Sequence, residues 1–422
     1  MLNRFLTFVM VSVFTLSLSA MAIANPTSTV TQSGMNNTAT VQQDGTTGDD
    51  ATIDQLGDYN VADIYQSYTG AGYSGSIADQ DQDGDYNAAH IQHSKLSYGY
   101  QTQTGYVNTA DIDQGAYDYA EQTQTGDYNV ADIDQSTGGW LHSNYAYQTQ
   151  TGNYNTATIG QTGVDNVASQ TQIGDNYANG IHQTGDRNDA EQYQEGSGNV
   201  LSGIIQTGDD NEAYQEQVGN DNTAGIEDQL GNNNLASQVQ LGNSNNASID
   251  QSSNGEQATM EQVGDYNTAG INQTGDKNKA VGSNDWWTYQ NAQVVEHVPE
   301  DVGIYQQGFT NWAAIDQTST MLNYGHQARI RQLGNDNYAD VLQDGEAFNQ
   351  AAVRQDGNDN DAYVNQDGKY LNAYTAHFGD GNWSDITQTG TSNTAECLHN
   401  GDGFSTTITQ FGTGNFISVI KP

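Results

Sequence analysis

The side chains that recur at fixed spacing along this chain are primary amides, and the chemistry open to them is hydrogen bonding in two directions at once. Each amide carries a carbonyl acceptor and an NH2 group with two donors. The amides sit in the pattern Gln-x-Gly-x-x-Asn-x-Ala-x-x-x-Gln, of which 14 complete copies run through the sequence. The copies begin at Gln32, Gln55, Gln103, Gln124, Gln150, Gln161, Gln183, Gln206, Gln229, Gln240, Gln262, Gln306, Gln332 and Gln355. Their asparagines are Asn37, Asn60, Asn108, Asn129, Asn155, Asn166, Asn188, Asn211, Asn234, Asn245, Asn267, Asn311, Asn337 and Asn360. They close at Gln43, Gln66, Gln114, Gln135, Gln161, Gln172, Gln194, Gln217, Gln240, Gln251, Gln273, Gln317, Gln343 and Gln366. One copy, written out, is Gln55, Gly57, Asn60, Ala62, Gln66; degenerate copies run from Gln82 to His93, His377 to Gln388 and Gln388 to His399.

Other reactive residue types are present without the company that catalysis or metal binding needs. His90 and His93 form a His-x-x-His, but no cysteine or carboxylate cluster nearby completes a tetrahedral set. His93, His377 and His399 instead occupy the glutamine position, where a ring nitrogen can stand in for an amide. Gly-Asp pairs recur at Asp58, Asp127, Asp186 and Asp265, and stacked carboxylates could attract Ca2+, which takes six to eight oxygens. The nonapeptide calcium signature of β-rolls is absent, and exposed Asp also serves solubility. Cys397 shares parity with Ala395 and His399, which places it inward as a small apolar residue. No nucleophile elbow, phosphate loop or zinc-protease motif occurs, so the expectation is a non-enzyme with no metal and no cofactor.

The spacing dictates the elements that carry the amides. In Asn60-Val61-Ala62-Asp63-Ile64-Tyr65-Gln66 the residues Asn60, Ala62, Ile64 and Gln66 share one parity, and a strand sends alternate side chains to one face. The Gly-containing segment that follows is turn chemistry. Each unit of about 11 residues is then a strand plus an arc, and two units make a coil of about 22 residues with two facing strands. A single coil cannot bury its inner face, whereas stacked coils place Gln over Gln and Asn over Asn at about 4.8 Å. Ala and a β-branched residue such as Ile64, Ile112, Ile133, Ile159, Ile249 or Ile315 fill the space between as in a steric zipper. The expected fold class is all-β: a β-solenoid of strand–arc–strand coils with two facing parallel sheets, amyloid-like and cross-β, in 16 or 17 coils.

Composition and charge bound the rest. Residues 1–24 read as a secretory signal peptide, with Arg4, an apolar stretch and Ala22-Ile23-Ala24 as cleavage site. Residues 25–31 form a short segment, and 32–422 the repeat solenoid, interrupted near 67–78, 136–147, 282–305 and 318–327. The longest interruption holds Trp286, Trp287, His297 and Pro299 and reads as a surface loop. The net charge of −42 argues against nucleic acid as a partner, and no membrane insertion is expected. With one cysteine no internal disulfide framework can form. Only three prolines leave the ladders free of residues lacking an N–H.

The Gln-x-Gly-x-x-Asn-x-Ala-x-x-x-Gln unit in tandem resembles the curlin repeat of curli fibre subunits, over nearly all of 32–422. The resemblance implies a secreted subunit that polymerises with itself into extracellular, pilus-like amyloid fibres on a Gram-negative cell, for adhesion, aggregation and biofilm matrix. It also implies a curli-type nucleator and outer-membrane secretion factors as partners, with the Gln and Asn ladders driving assembly. The chain departs from that family in its high repeat number, in lacking the Gly-rich amino-terminal stretch, and in its insertions. The alternative is a monomeric secreted β-solenoid that binds a glycan, calcium or another matrix component.

Overall fold

A computed structural model describes residues 26–44, 48–67, 75–136, 142–178, 180–280, 303–321 and 324–422. The expected signal peptide and the Trp286/Trp287 loop lie outside the described residues. Among those described, every regular element longer than a turn is a β-strand, and the strands wind into a parallel β-solenoid of about 15 turns with ~23 residues per turn. The turn is slightly longer than the 22 residues expected because arcs lengthen without disturbing the strands: successive coils step by 21 residues at Gln82–Gln103 and by 27 at Gln55–Gln82.

The described residues fall into two compact units, one ending at Asp175 and the other beginning at Asn176. In the first unit each strand pairs in parallel with the next but one, giving two ladders. One contains Thr27–Ser33, Asp50–Leu56, Ile77–Asp85, Tyr98–Tyr106, Tyr119–Thr125 and Tyr145–Thr151. The other contains Thr38–Asp44, Val61–Ser67, Ala88–His93, Thr109–Gln114, Val130–Ser136 and Thr156–Thr162. The second unit repeats the arrangement, ending in Ser405–Thr413 on one ladder and Phe416–Lys421 on the other.

Register is kept by side-chain identity. Ala62 faces Ala89, Ile64 faces Ile91 and Gln66 faces His93 in the next coil. A slip of one residue would turn every amide out and every Asp in, so one-face burial fixes the pairing. The inward set is fully buried: Ala62, Ile91, Ile112, Ile133, Gln55 and Asn60 are all at or near zero exposure. The segment 279–309 shows how the fold absorbs an insertion. Lys279 and Ala280 continue the pairing with Gln257 and Ala258, and the same ladder resumes at Ile304 opposite Met260.

The glycine of the motif is required by the neighbouring coil. Gly57 has φ of +112°, and a Cβ there would lie 2.0 Å from the Gly84 carbonyl oxygen. The side chain must be absent from the earlier arc of each such contact, whereas the later one can carry it, as Ser253 does against Gly231 and Ser319 against Gly275. Gly57→Ala is therefore expected to destabilise the chain by about 3 kcal/mol or more through strain and overpacking. Gly381→Ala, where φ is +65° and nothing lies within 4 Å, should cost only about 1 kcal/mol of left-handed strain. Urea midpoints of the two variants check the contrast.

Candidate functional site

The glutamines that close each strand form columns. In the first unit Gln32 Nε2 donates to Gln55 Oε1 at 2.6 Å, and the chain of bonds continues 55→82, 82→103, 103→124, 124→150 and 150→172 at 2.8–2.9 Å. On the facing ladder Gln43 donates to Gln66 at 2.8 Å, Gln114 to Gln135 at 3.0 Å and Gln135 to Gln161 at 2.7 Å. In the second unit one column runs 183→206→229→251→273→317→343→366→388→410 at 2.7–3.0 Å. The other runs 194→217→240→262→306→332→355 at 2.8–3.1 Å. Every donor points toward the later coil.

Each amide has a second N–H, and it crosses the core. Gln55 Nε2 also donates to the Thr38 carbonyl at 3.1 Å, Gln103 to Ala88 at 2.9 Å and Gln124 to Thr109 at 2.9 Å. Both donors are used, and the two facing ladders are tied together. The cross-core bond was not legible in the repeat, because its acceptor is a backbone carbonyl on the opposite ladder.

The asparagines bind the arcs. Asn37 Oδ1 accepts the Asn60 backbone N–H at 2.9 Å, and Asn37 Nδ2 donates to the Gly57 carbonyl at 2.8 Å. At Asn360, Nδ2 donates both to Asn337 Oδ1 at 3.1 Å and to the Gly379 carbonyl at 2.8 Å. The asparagine row is thus a mixed column of side chain and backbone. The Gly-Asp carboxylates join it: Asp58 Oδ1 accepts the Met35 N–H, and Asp85 Oδ1 the Asp58 N–H, both at 2.7 Å. Those Asp residues hold the arcs in register. Among the described residues no group of three or more His, Cys, Asp or Glu comes together to hold a metal ion.

A second, inner glutamine column went unnoticed in the sequence, because it occupies the position of the β-branched residue on alternate strands. Gln80, Gln101, Gln122, Gln148 and Gln170 are linked at 2.9–3.0 Å, and in the second unit Gln192, Gln215 and Gln238 at 2.9 and 3.2 Å. The signal available was the Gln-x-Gln doublet, as in Gln122-Thr123-Gln124. The first-unit column begins where Gln80 faces Ile53, and the second-unit column stops where Gln238 faces Met260. At those places Gln80 Oε1 and Gln238 Nε2 are buried without a partner.

Three histidines take the glutamine position with only half its capacity. Gln66 Nε2 lies 3.1 Å from His93 Nε2 and donates to it, which leaves that nitrogen no proton to pass on. Gln114 Oε1 in the next coil is buried without a donor. Burial lowers His93 from its ordinary 6.5 to about 4. His377 and His399 stack at 4.9 Å and 9°, with Nε2 on Ser384 Oγ at 3.0 Å and on Thr406 Oγ1 at 2.8 Å. Burial, then the neighbouring His399, pulls His377 down to about 3. Cys397 is buried in the β-branched column, and burial pushes its thiol up.

Outside the core, acids lie in register: Asp111 faces Asp132 and Asp113 faces Asp134. Burial and the neighbouring carboxylates raise Asp113 and Asp132 above the usual range. This face resists lateral contact with another acidic surface.

Residues 334–368 match a family model described as Curlin associated repeat. The match covers the coil in which Gln343 donates to Gln366 at 2.8 Å. No curated protein matches the chain.

Two tests follow from the ladder geometry. Gln122→Ile removes a middle rung and strands Gln148 Oε1 and one Gln101 N–H, so it should cost about 2–4 kcal/mol. Gln238→Ile merely moves the column's end back to Gln215 and should cost less than about 1 kcal/mol; denaturant midpoints decide. His93→Gln completes the column from Gln66 to Gln114 and is expected to stabilise by about 1 kcal/mol. Below pH 6.5 the unfolded chain protonates the wild-type ring while the folded chain resists until about 4. The stability present above pH 6.5 is thus lost as pH falls toward 4, at up to about 1.4 kcal/mol per pH unit. Midpoints of wild type and variant measured between those limits should therefore diverge as pH falls.

Proposed function

We infer, from a chain that is a curlin-repeat protein by its match at residues 334–368, that it is a secreted structural subunit which polymerises with copies of itself into an extracellular amyloid-like fibre. The observation that carries this reading is that the column running from Gln183 to Gln410 has no closing residue: Gln410 receives from Gln388 at 2.7 Å and gives to no later glutamine. The facing column does close, at Gln355, whose Nε2 turns to the Tyr338 and Asn360 carbonyls before His377, His399 and Lys421 take the later positions. Growth is therefore carried by the open column and by the unpaired strand edges. Gln80 and Gln238 show what an unfinished column looks like inside the chain: a buried atom without a partner. A further copy stacked in the same direction supplies the missing partner and extends the strand pairing.

Charge distribution supports the same reading. The last coil, residues 404–422, carries Lys421 as its single charged side chain, and it exposes Phe411, Phe416 and Ile420. Phe416–Lys421 pairs with Thr394–Asn400 along one edge and, among the described residues, with nothing along the other. A last coil with a single charged side chain and acidic sides favours growth along the coil axis over side-by-side clumping. A signal peptide at 1–24, curli-type secretion factors and a nucleator complete the proposal, with adhesion and biofilm matrix as the roles of the fibre.

Purified mature chain should polymerise after a lag that sonicated fibres abolish, giving a pelletable product that binds amyloid dyes. Val419→Asp, which puts a carboxylate in the inner column of the edge strand, should slow seeded growth by about tenfold or more. A mature chain that stays monomeric for days, seeds included, would overturn the reading in favour of a soluble binding protein.

A further inference from the structure

The arcs of the first unit hold a row of tyrosines that the amide architecture does not explain. Tyr59, Tyr86, Tyr128 and Tyr154 have φ of +57° to +59°, a conformation uncommon for bulky side chains and easier for Asn or Asp. In other coils the equivalent left-handed place is filled by Asn36, Asp165, Asp210 or Asn233. Where Val107 takes it, φ +58°, the preceding residue is Tyr106, and its ring still fills the row. The rings form one continuous column: Tyr59–Tyr86 at 4.8 Å and 6°, Tyr86–Tyr106 at 5.5 Å and 71°, Tyr106–Tyr128 at 5.7 Å and 76°, and Tyr128–Tyr154 at 5.1 Å and 2°. Tyr59, Tyr86, Tyr128 and Tyr154 are also 42–66% exposed. A strained conformation maintained at exposed positions points to a use for the side chain.

We propose that this column is a site of oxidative cross-linking, in which a one-electron oxidant of the peroxidase–hydrogen peroxide class joins tyrosines of adjacent coils as dityrosine. The two near-parallel pairs, Tyr59–Tyr86 and Tyr128–Tyr154, are the coupling pairs. Each phenol loses one electron and one proton to give a phenoxyl radical. The two radicals form a carbon–carbon bond between ring positions ortho to oxygen, and the two ring hydrogens move to the oxygens to restore the phenols. Overall two tyrosines and one hydrogen peroxide give one dityrosine and two waters. Desolvation and the neighbouring rings raise the phenols of Tyr86 and Tyr128, so proton and electron leave together. Each bridge closes a loop between coils in a chain whose one cysteine cannot make an internal disulfide.

The test treats soluble full-length mature chain with peroxidase and hydrogen peroxide, then maps the digested product by mass spectrometry and dityrosine fluorescence. The expected result is a Tyr59–Tyr86 and a Tyr128–Tyr154 bridge, each at least about tenfold above the yield from urea-unfolded chain, because the fold holds the rings together. Tyr59→Phe combined with Tyr128→Phe keeps the stacked rings and should lose both bridges. The bridged wild type should unfold at higher urea than the untreated chain. Coupling spread equally over Tyr98, Tyr145, Tyr266 and Tyr370, equal yield from unfolded chain, or an unmoved urea midpoint would overturn the proposal.

Discussion

A primary amide taken out of water must both give and receive hydrogen bonds, and the lowest-cost way to satisfy a repeated one is to place an identical group directly above and below it. The rest of the fold follows from that requirement. Like over like at strand spacing demands parallel coils in register, and every described pairing is parallel and in register apart from local shifts near Leu201, Ile226 and Gly345. It also demands arcs that stack as closely as strands, which the motif glycine permits at Gly57. The second amide hydrogen, reaching the opposite backbone as from Gln55 to Thr38, turns two columns into one bonded core.

The substitutions within the columns behave as this requirement says they should. An apolar neighbour ends an amide column and leaves an atom stranded, as at Gln80 against Ile53. A histidine accepts without donating onward, so its cost appears one coil later at Gln114. Where two histidines follow each other, at His377 and His399, they leave the column pattern, stack, and turn their ring nitrogens to hydroxyls. Neutral rings suffice there, and burial keeps them neutral.

Strand parity, the parallel solenoid and the approximate coil length were legible because Asn60, Ala62, Ile64 and Gln66 alternate with outward residues. The turn came out about one residue longer than the repeat suggests, since arcs such as the one between Gln55 and Gln82 take in extra residues while the strands stay aligned. The inner Gln80–Gln170 column is hidden in a repeat of half a coil, since the difference between the two ladders appears only at whole-coil period. The arc aspartates looked like free surface charge; only backbone geometry reveals that Asp58 and Asp85 receive N–H groups from the preceding coil. Tyr59, Tyr86, Tyr128 and Tyr154 recur at one place in the arc, but the part played by Tyr106 in bridging the coil of Val107 appears only once the rings are placed in space.

All the glutamine amides in a column point the same way, from Gln32 through Gln172 and from Gln183 through Gln410. Their dipoles therefore add, and each bonded amide polarises its neighbours so that the next bond is stronger than an isolated one. Binding energy per layer consequently rises with the number of layers already present. A short stack is held loosely at its ends, and a long one grips each newcomer more firmly, so length itself becomes a source of durability.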